Sequence, residues 1–217
     1  MSHVTLVRHG QANTAARDER SYDQLSDLGR QQARWLGEHM RGTGERFARA
    51  YRGTLTRHRE TAEEMALGLE VVADARLNEL EYFTMAQLCA AQHGVAMPEN
   101  REAFILHLPR LFTIWREGGL EGAPESFESF ESRVGEALHE IASGEGRAVV
   151  VTSGGLIGMA MRVCMGLGMG ALAHACLAIE NSSVHRFQPL ATGLALTQFN
   201  AVPHLEAPGR AYARTHL

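Results

Sequence analysis

Two short stretches concentrate residues able to handle an anion. Arg8-His9-Gly10 follows the apolar run Val4-Thr5-Leu6-Val7, and Thr152-Ser153-Gly154-Gly155 follows Ala148-Val149-Val150-Val151. A histidine beside a guanidinium offers a nucleophile or base next to a fixed positive charge. Glycines let backbone N–H groups close on an oxyanion. Each apolar run reads as a buried parallel strand emptying into a loop. In open α/β sheets, ligands collect where strand carboxyl ends meet helix starts. If the two strands are neighbours, His9 and Ser153 face one pocket. Gly10, Gly154 and Gly155 then bring amides near the anion, and the helix after Gly155 adds its positive end.

The elements that must position these residues can be read from periodicity. Leu28 to Met40 is spaced as a helix, with Ser26 or Asp27 as its cap. Phe47–Tyr51 reads as a second strand, followed by a helix from about Arg57 to Leu69. Val71-Val72 and Leu77–Phe83 read as extended. Helical patches at Met85–His93 and Ala103–Trp115, with loops at Met97-Pro98 and Gly118–Pro124, make the segment 84–124 a helical insertion over one end of a sheet. Phe127, Phe130, Val134, Leu138 and Ile141 recur at three and four residues behind Ser126, as the buried stripe of a capped helix. Gly154–Ile179 reads as a buried helix pair, and Val184–Phe187 and Leu194–Phe199 complete the sheet. The tail from Pro203 is polar and reads as loosely packed. Alternation of strands and helices predicts one α/β domain over residues 1–217, a three-layer α/β/α sandwich with a mostly parallel central sheet.

Bulk properties narrow the function. A net charge of −4 over 217 residues speaks against a nucleic-acid surface, which needs concentrated cations. Cys89, Cys164 and Cys176 form no CxxC or Cys/His cluster, so neither a disulfide framework nor a metal site is indicated, and a reducing cytoplasm is the expected setting. Arg8 interrupts the first apolar run too early for a secretion signal. Arg162, His174 and the glycines of Gly154–Ile179 argue against a membrane span.

Leu6-Val7-Arg8-His9-Gly10-Gln11 resembles the opening motif of the histidine phosphatase superfamily, which includes the cofactor-dependent phosphoglycerate mutases. Further blocks follow in that family's order: Leu25-Ser26-Asp27-Leu28-Gly29-Arg30-Gln31-Gln32-Ala33, then Thr54-Leu55-Thr56-Arg57-His58-Arg59-Glu60-Thr61-Ala62, then Leu77-Asn78-Glu79, then Glu125-Ser126-Phe127 with Arg133-Val134. The resemblance implies that His9 attacks phosphorus and becomes a phosphohistidine. It implies that Arg8 and Arg57 clamp the phosphoryl oxygens and keep His9 neutral. It implies that Glu79 protonates the leaving oxygen and then activates water, with Glu81 or partial burial raising its pKa. Gly10, Asn13, Ser153 and Gly154 complete the expected phosphate site. The ligand implied is a small phosphorylated molecule, with no cofactor and no metal.

Two positions depart from the family pattern. Ser153 stands where the family carries a second histidine, and a neutral hydroxyl replacing a preorganised charged donor costs about 10²–10³ in rate. Ala15 stands where many members carry asparagine, a corner that Asn13 or Thr14 would serve. His58 or His185 could refill the pocket, although His58 is turned about 100° from Arg57 on a helix. Plainer readings exist for each residue taken singly: His9 as a structural histidine, Arg57 as a solvent-facing helix start, Glu79 as a solvated charge, Ser153 as a helix N-cap. The Phe127/Phe130 stripe and Met159, Met161, Met165 and Met169 read as packing. Dinucleotide-binding, serine-hydrolase and zinc-protease patterns each fail at a required residue. The expectation is phosphomonoester hydrolysis through phospho-His9. A non-catalytic binder of phosphorylated ligands is the alternative, and a phosphoglycerate mutase stands third.

Overall fold

The computed structural model describes residues 3–216; Met1, Ser2 and Leu217, the ends of the expected domain, lie outside the described residues. In chain order the elements are β1 (Val4–Arg8), α1 (Glu19–Tyr22), α2 (Asp27–Gly42), β2 (Arg49–Arg52), α3 (Thr56–Met65), β3 (Val71–Ala73), α4 (Tyr82–His93), α5 (Arg101–Arg116), α6 (Phe127–Ser143), β4 (Ala148–Thr152), α7 (Gly154–Met165), α8 (Met169–Ala178), β5 (Val184–Leu190) and β6 (Gly193–Ala201). Short 3-10 turns at Ala75–Leu77, Pro203–Leu205 and Ala211–Ala213 complete them.

The sheet order is β3-β2-β4-β1-β5-β6. The first four strands run parallel, β5 is antiparallel to β1, and β6 is antiparallel to β5. β1 and β4 are direct neighbours, with Val4 opposite Ala148 and Arg8 opposite Thr152. Their exits at His9 and Ser153 therefore emerge side by side. Every residue of both strands is buried, as expected of strands covered on both faces.

Alternating side chains feed two cores. Val4, Leu6, Ala148 and Val150 pack with Phe127 and Phe130 of α6, Leu156 of α7 and Leu111 of α5. Val7, Val149 and Val151 pack on the opposite face with Ala33, Leu36 and Met40 of α2 and Met65 of α3. The architecture is the expected α/β/α sandwich. Its helices start where their caps dictate: Ser26 accepts from the Gly29 amide and Ser126 from the Ser129 amide. Each fully buried Phe or Leu on these stripes contributes about 1.5–3 kcal/mol. Met159 and Met161 are buried packing residues, whereas Met165 is exposed. In the segment 84–124, α4 and α5 send Met85, Cys89, Leu111 and Trp115 into the first of these cores.

Three expectations are corrected. Leu77–Phe83 is no strand: residues 75–77 form a 3-10 turn and α4 starts at Tyr82. Arg133 of α6 takes the carbonyls of Arg76 and Asn78 at 2.8 Å each, and the Asn78 side chain accepts from the Thr54 amide, so side chains occupy what a strand partner would need. The third helix ends at Met65, not Leu69, because Ala66 and Gly68 adopt left-handed φ values of 48° and 71°. The tail is packed rather than loose. Val202, Leu205 and Ala213 are buried beside Leu28 and Trp35, and the Gln32 amide donates to the Ala213 carbonyl at 2.7 Å. Among the described residues no helix is long and apolar enough to cross a membrane.

Candidate active site

A cavity of about 330 Å³ opens beyond the C-terminal ends of β1 and β4, lined by Arg8, His9, Asn13, Arg57, Glu79 and Gly154 among others. These six were singled out from the sequence. Gly10 and Ser153, also expected there, do not line it.

His9 is pinned at its backbone, donating to the Thr152 carbonyl at 2.8 Å and accepting from the Ser182 amide at 3.1 Å. Its Nδ1 lies 2.7 Å from the Gly10 carbonyl oxygen. A carbonyl only accepts, so Nδ1 carries the proton and Nε2 keeps a bare lone pair. Burial first, then the charges of Arg57 and Arg8 and the proximity of His58, hold the imidazole pKa well below its ordinary value. The ring is neutral at physiological pH, a form in which Nε2 can act as a nucleophile.

Arg8 and Arg57 are 4% and 3% exposed, and the Nε of each has no partner in the protein. Arg8 Nη1 donates to the Ile179 carbonyl, and Arg57 Nη1 donates to Asp23 Oδ1 at 3.0 Å. Asp23 also accepts from the Thr56 and Arg57 amides at 2.9 and 3.2 Å, capping α3 where Leu55 has no side chain able to do so. Arg57 lies over the Tyr22 ring, 5.1 Å from its centroid. A buried donor left unpaired costs about 1–3 kcal/mol, more when charged. An oxyanion that bonded these N–H groups would remove that cost.

The Glu79 carboxylate accepts from the Gly155 amide at 2.7 Å and from the Leu80 amide at 3.0 Å. A Cβ at Gly155 would come within 2.3 Å of Glu79 Oε1, so the absence of a side chain there makes room for the acid. Arg133, itself clamped by Glu125, fixes the turn that delivers Glu79. A second acid, Glu19, lines the cavity and accepts from the Phe83 amide at 2.7 Å. Burial pushes its carboxyl pKa up, and Glu81 and Glu79 add to that push. No spacing in the sequence marks Glu19. Asp23 and Tyr22 were likewise missed, because they come from a loop and a one-turn helix without a pattern.

Gly10 has a different role from the one expected. Its amide donates to Thr61 Oγ1 at 3.1 Å, and a Cβ there would lie 2.2 Å from the Gly29 carbonyl oxygen. Close packing against α2, not approach to an anion, calls for glycine. Thr61 belongs to the Arg57 block and was legible only as part of it. Asn13 braces its own loop, accepting from the Ala15 amide at 3.1 Å and donating to the Ser21 carbonyl at 2.9 Å. Ser153 occupies the N-cap position of α7 yet makes no capping bond. Its hydroxyl lies 2.6 Å from His58 Nε2, with both residues wholly buried. His58 does not line the cavity, but its ring centroid is 5.8 Å from that of His9. His185 is not in the cavity either; it is 2.9 Å from Ser183 Oγ beneath β1.

Much of the rest of the wall is apolar or aromatic, with Tyr22, Tyr82, Phe83, Phe104, Leu108 and Phe112, and Gln11, Thr14 and Asn181 also line it. Arg8 and Arg57 are the only Arg or Lys side chains among the lining residues. Among the described residues no group of three or more His, Cys, Asp or Glu comes together as metal ligands.

The sequence profile of the histidine phosphatase superfamily (branch 1) matches residues 4–202. A probable phosphoglycerate mutase from Klebsiella pneumoniae is 31% identical over 228 residues, covering 96% of this chain and 97% of the relative. A phosphoserine phosphatase mutant from Entamoeba histolytica, solved with phosphoserine, superposes with a TM-score of 0.70 at 18% identity, covering 94% of this chain and 100% of that one. A mycobacterial glucosyl-3-phosphoglycerate phosphatase gives a TM-score of 0.65 at 22% identity, covering 93% and 99%. At these identities the solved structures establish the fold.

Proposed function

This chain belongs to the histidine phosphatase superfamily, and from that premise we propose that it hydrolyses a small phosphomonoester through a phosphohistidine at His9. The observation that carries the reading is the Nε2 of the buried His9, unprotonated because Nδ1 serves Gly10, in one cavity with two guanidiniums that each keep an unpaired N–H. In the first step His9 Nε2 bonds to phosphorus and the P–O bond to the alcohol breaks. The alcohol oxygen takes a proton from the Glu79 carboxyl. In the second, water bonds to phosphorus, the P–N bond breaks, and the water's proton passes to Glu79. Inorganic phosphate leaves and the imidazole is regenerated. Arg8 and Arg57 neutralise charge on the transferring oxygens, where most phosphoryl-transfer catalysis lies.

The cavity wall argues for the substrate's other half. A phosphoglycerate carries a carboxylate besides its phosphate, and a mutase must hold two phosphorylated positions in turn. Arg8 and Arg57 are the only Arg or Lys side chains lining this cavity, this reading assigns both to one phosphoryl site, and Glu19 lines the remainder. The aromatic wall favours a phosphomonoester whose alcohol is apolar or aromatic. The Klebsiella relative's name keeps phosphoglycerate mutase as the second reading.

The test uses aryl and alkyl phosphates side by side with 2- and 3-phosphoglycerate. Hydrolysis of the aryl ester, acid-quench trapping of labelled phosphoenzyme, and loss of both in His9→Ala are the expected results. Glu79→Gln should slow phosphoenzyme formation from the alkyl ester by about 10²–10³ but spare that step for an aryl ester with a good leaving group, because only the former needs a proton in its transition state. Interconversion of the phosphoglycerates without net phosphate release would establish the mutase instead. Phosphate binding without turnover in any assay would leave a non-catalytic binder.

A further inference from the structure

The cavity carries opposite charges on two parts of its wall. Arg8 and Arg57 line one part, almost wholly buried and each with an Nε that no protein group accepts. Glu19 lines the other. Glu19 and Tyr22 are the first and last residues of α1, three apart and so on one face of its single turn. Arg57 lies over the Tyr22 ring, 5.1 Å from its centroid, and the Phe83 ring meets that same ring at 5.9 Å. The Phe83 amide holds Glu19 Oε1 at 2.7 Å. The carboxylate is thereby fixed at the start of α4, one helical turn from the ring that carries the guanidinium. Tyr82, 5.8 Å from Phe83, continues the aromatic wall.

The other oxygen of Glu19 makes no hydrogen bond, and its carboxylate enters no ion pair, among the described residues. Burial, with Glu81 and Glu79 adding to it, disfavours its charge; Arg57 opposes this, but its Nη1 is held by Asp23. A cation beside Glu19 would favour the ionised form. Aromatic faces attract the same partner. A second anionic group on the substrate, by contrast, finds no further Arg or Lys in the wall.

We propose that the alcohol half of the substrate carries a cationic nitrogen, so that the ester is the phosphate of a short amino alcohol and Glu19 is the residue that sets its specificity. The phosphoryl group meets Arg8 and Arg57, the ammonium meets Glu19 beside Tyr22 and Phe83, and the apolar wall packs the carbons between. A short chain suffices because Arg57 and Glu19 both border on Tyr22. The placing of the phosphoryl group rests on the phosphohistidine reading above.

The experiment measures binding of two unreactive phosphonates by calorimetry, 3-aminopropylphosphonate and butylphosphonate, which differ only in an ammonium against a methyl. The parent protein should bind the amine at least about ten-fold more tightly, as a charge-assisted contact allows. Glu19→Gln keeps an oxygen for the Phe83 amide and removes the charge; in it the preference should fall to within about two-fold of parity. In turnover, the ratio of kcat/KM for phosphoethanolamine to that for propyl phosphate should fall at least about ten-fold in Glu19→Gln, a comparison from which the different leaving groups cancel. Equal binding of the two phosphonates by the parent overturns the proposal, and this measurement needs no variant to fold. A preference that persists in Glu19→Gln places the cation elsewhere and overturns it as well. If no phosphate ester of any kind is hydrolysed, the hydrolysis reading fails separately, and the phosphonates still decide the amine site.

Discussion

The Nε2 of His9, the proposed nucleophile, is available because its partner nitrogen is already committed to Gly10 and because burial beside Arg57 and Arg8 resists a second proton. For a base, a depressed pKa means that the neutral form persists as pH falls past the ordinary histidine value of about 6.5. With an aryl phosphate whose leaving group needs no acid, the rate of phosphoenzyme formation should therefore stay level from pH 7.5 down to about 5.5. A rapid-quench pH profile checks this. A rate that halves near pH 6.5 and declines ten-fold per unit below it would show that the imidazole titrates freely and that the arginines do not govern it.

At the level of elements, glycines record where backbones must touch. α2 meets the end of α3 at Gly37, where a Cβ would lie 1.9 Å from the Met65 carbonyl oxygen. A Cβ at Gly135, inside α6, would meet Val163 Cγ1 at 3.7 Å, an ordinary contact. Gly37→Ala should lose about 1–3 kcal/mol or more by overpacking, whereas Gly135→Ala should gain about 0.5–1 kcal/mol from helix propensity. Urea unfolding of the two variants measures both. Equal effects of the same sign would mean that the α2–α3 approach is looser than described. The contact matters for chemistry because α3 carries Arg57 and His58, and α2 fixes Gly29 against Gly10.

For the whole molecule, burial leaves several histidines uncharged. His185 and His204 are pushed down to about 3, and His9 and His58 also lie well below 6.5. In the unfolded chain each returns to about 6.5. Between those values the unfolded state binds protons that the folded state refuses, so stability rises with pH through this window and is lost as pH falls below about 6.5. Each group contributes up to about 1.4 kcal/mol per pH unit there. Unfolding near pH 5.5 should accordingly take up about three to four protons per chain from these four residues, as read by calorimetry in buffers of different ionisation enthalpy. Uptake below one proton would mean that they are charged in the folded protein.

The sequence alone determined what repeats locally. The two buried strands, the Ser26 and Ser126 caps, the stripe from Phe127 to Ile141 and the Arg8-His9 exit each announce themselves within a few residues, because strand and helix periods are short-range properties. The layered sheet follows from their alternation. Tertiary packing decided what no period encodes. It gave Gly10 to Thr61 and α2, brought Asp23 to Arg57 and Glu19 to the cavity, packed the tail, and turned Leu77–Phe83 into a 3-10 turn and a helix start held by Arg133. It also joined His58 to Ser153 across 95 residues. A hydrogen bond between side chains so far apart leaves no trace in either neighbourhood; only the register of β2 against β4 and the seating of α3 bring them within reach.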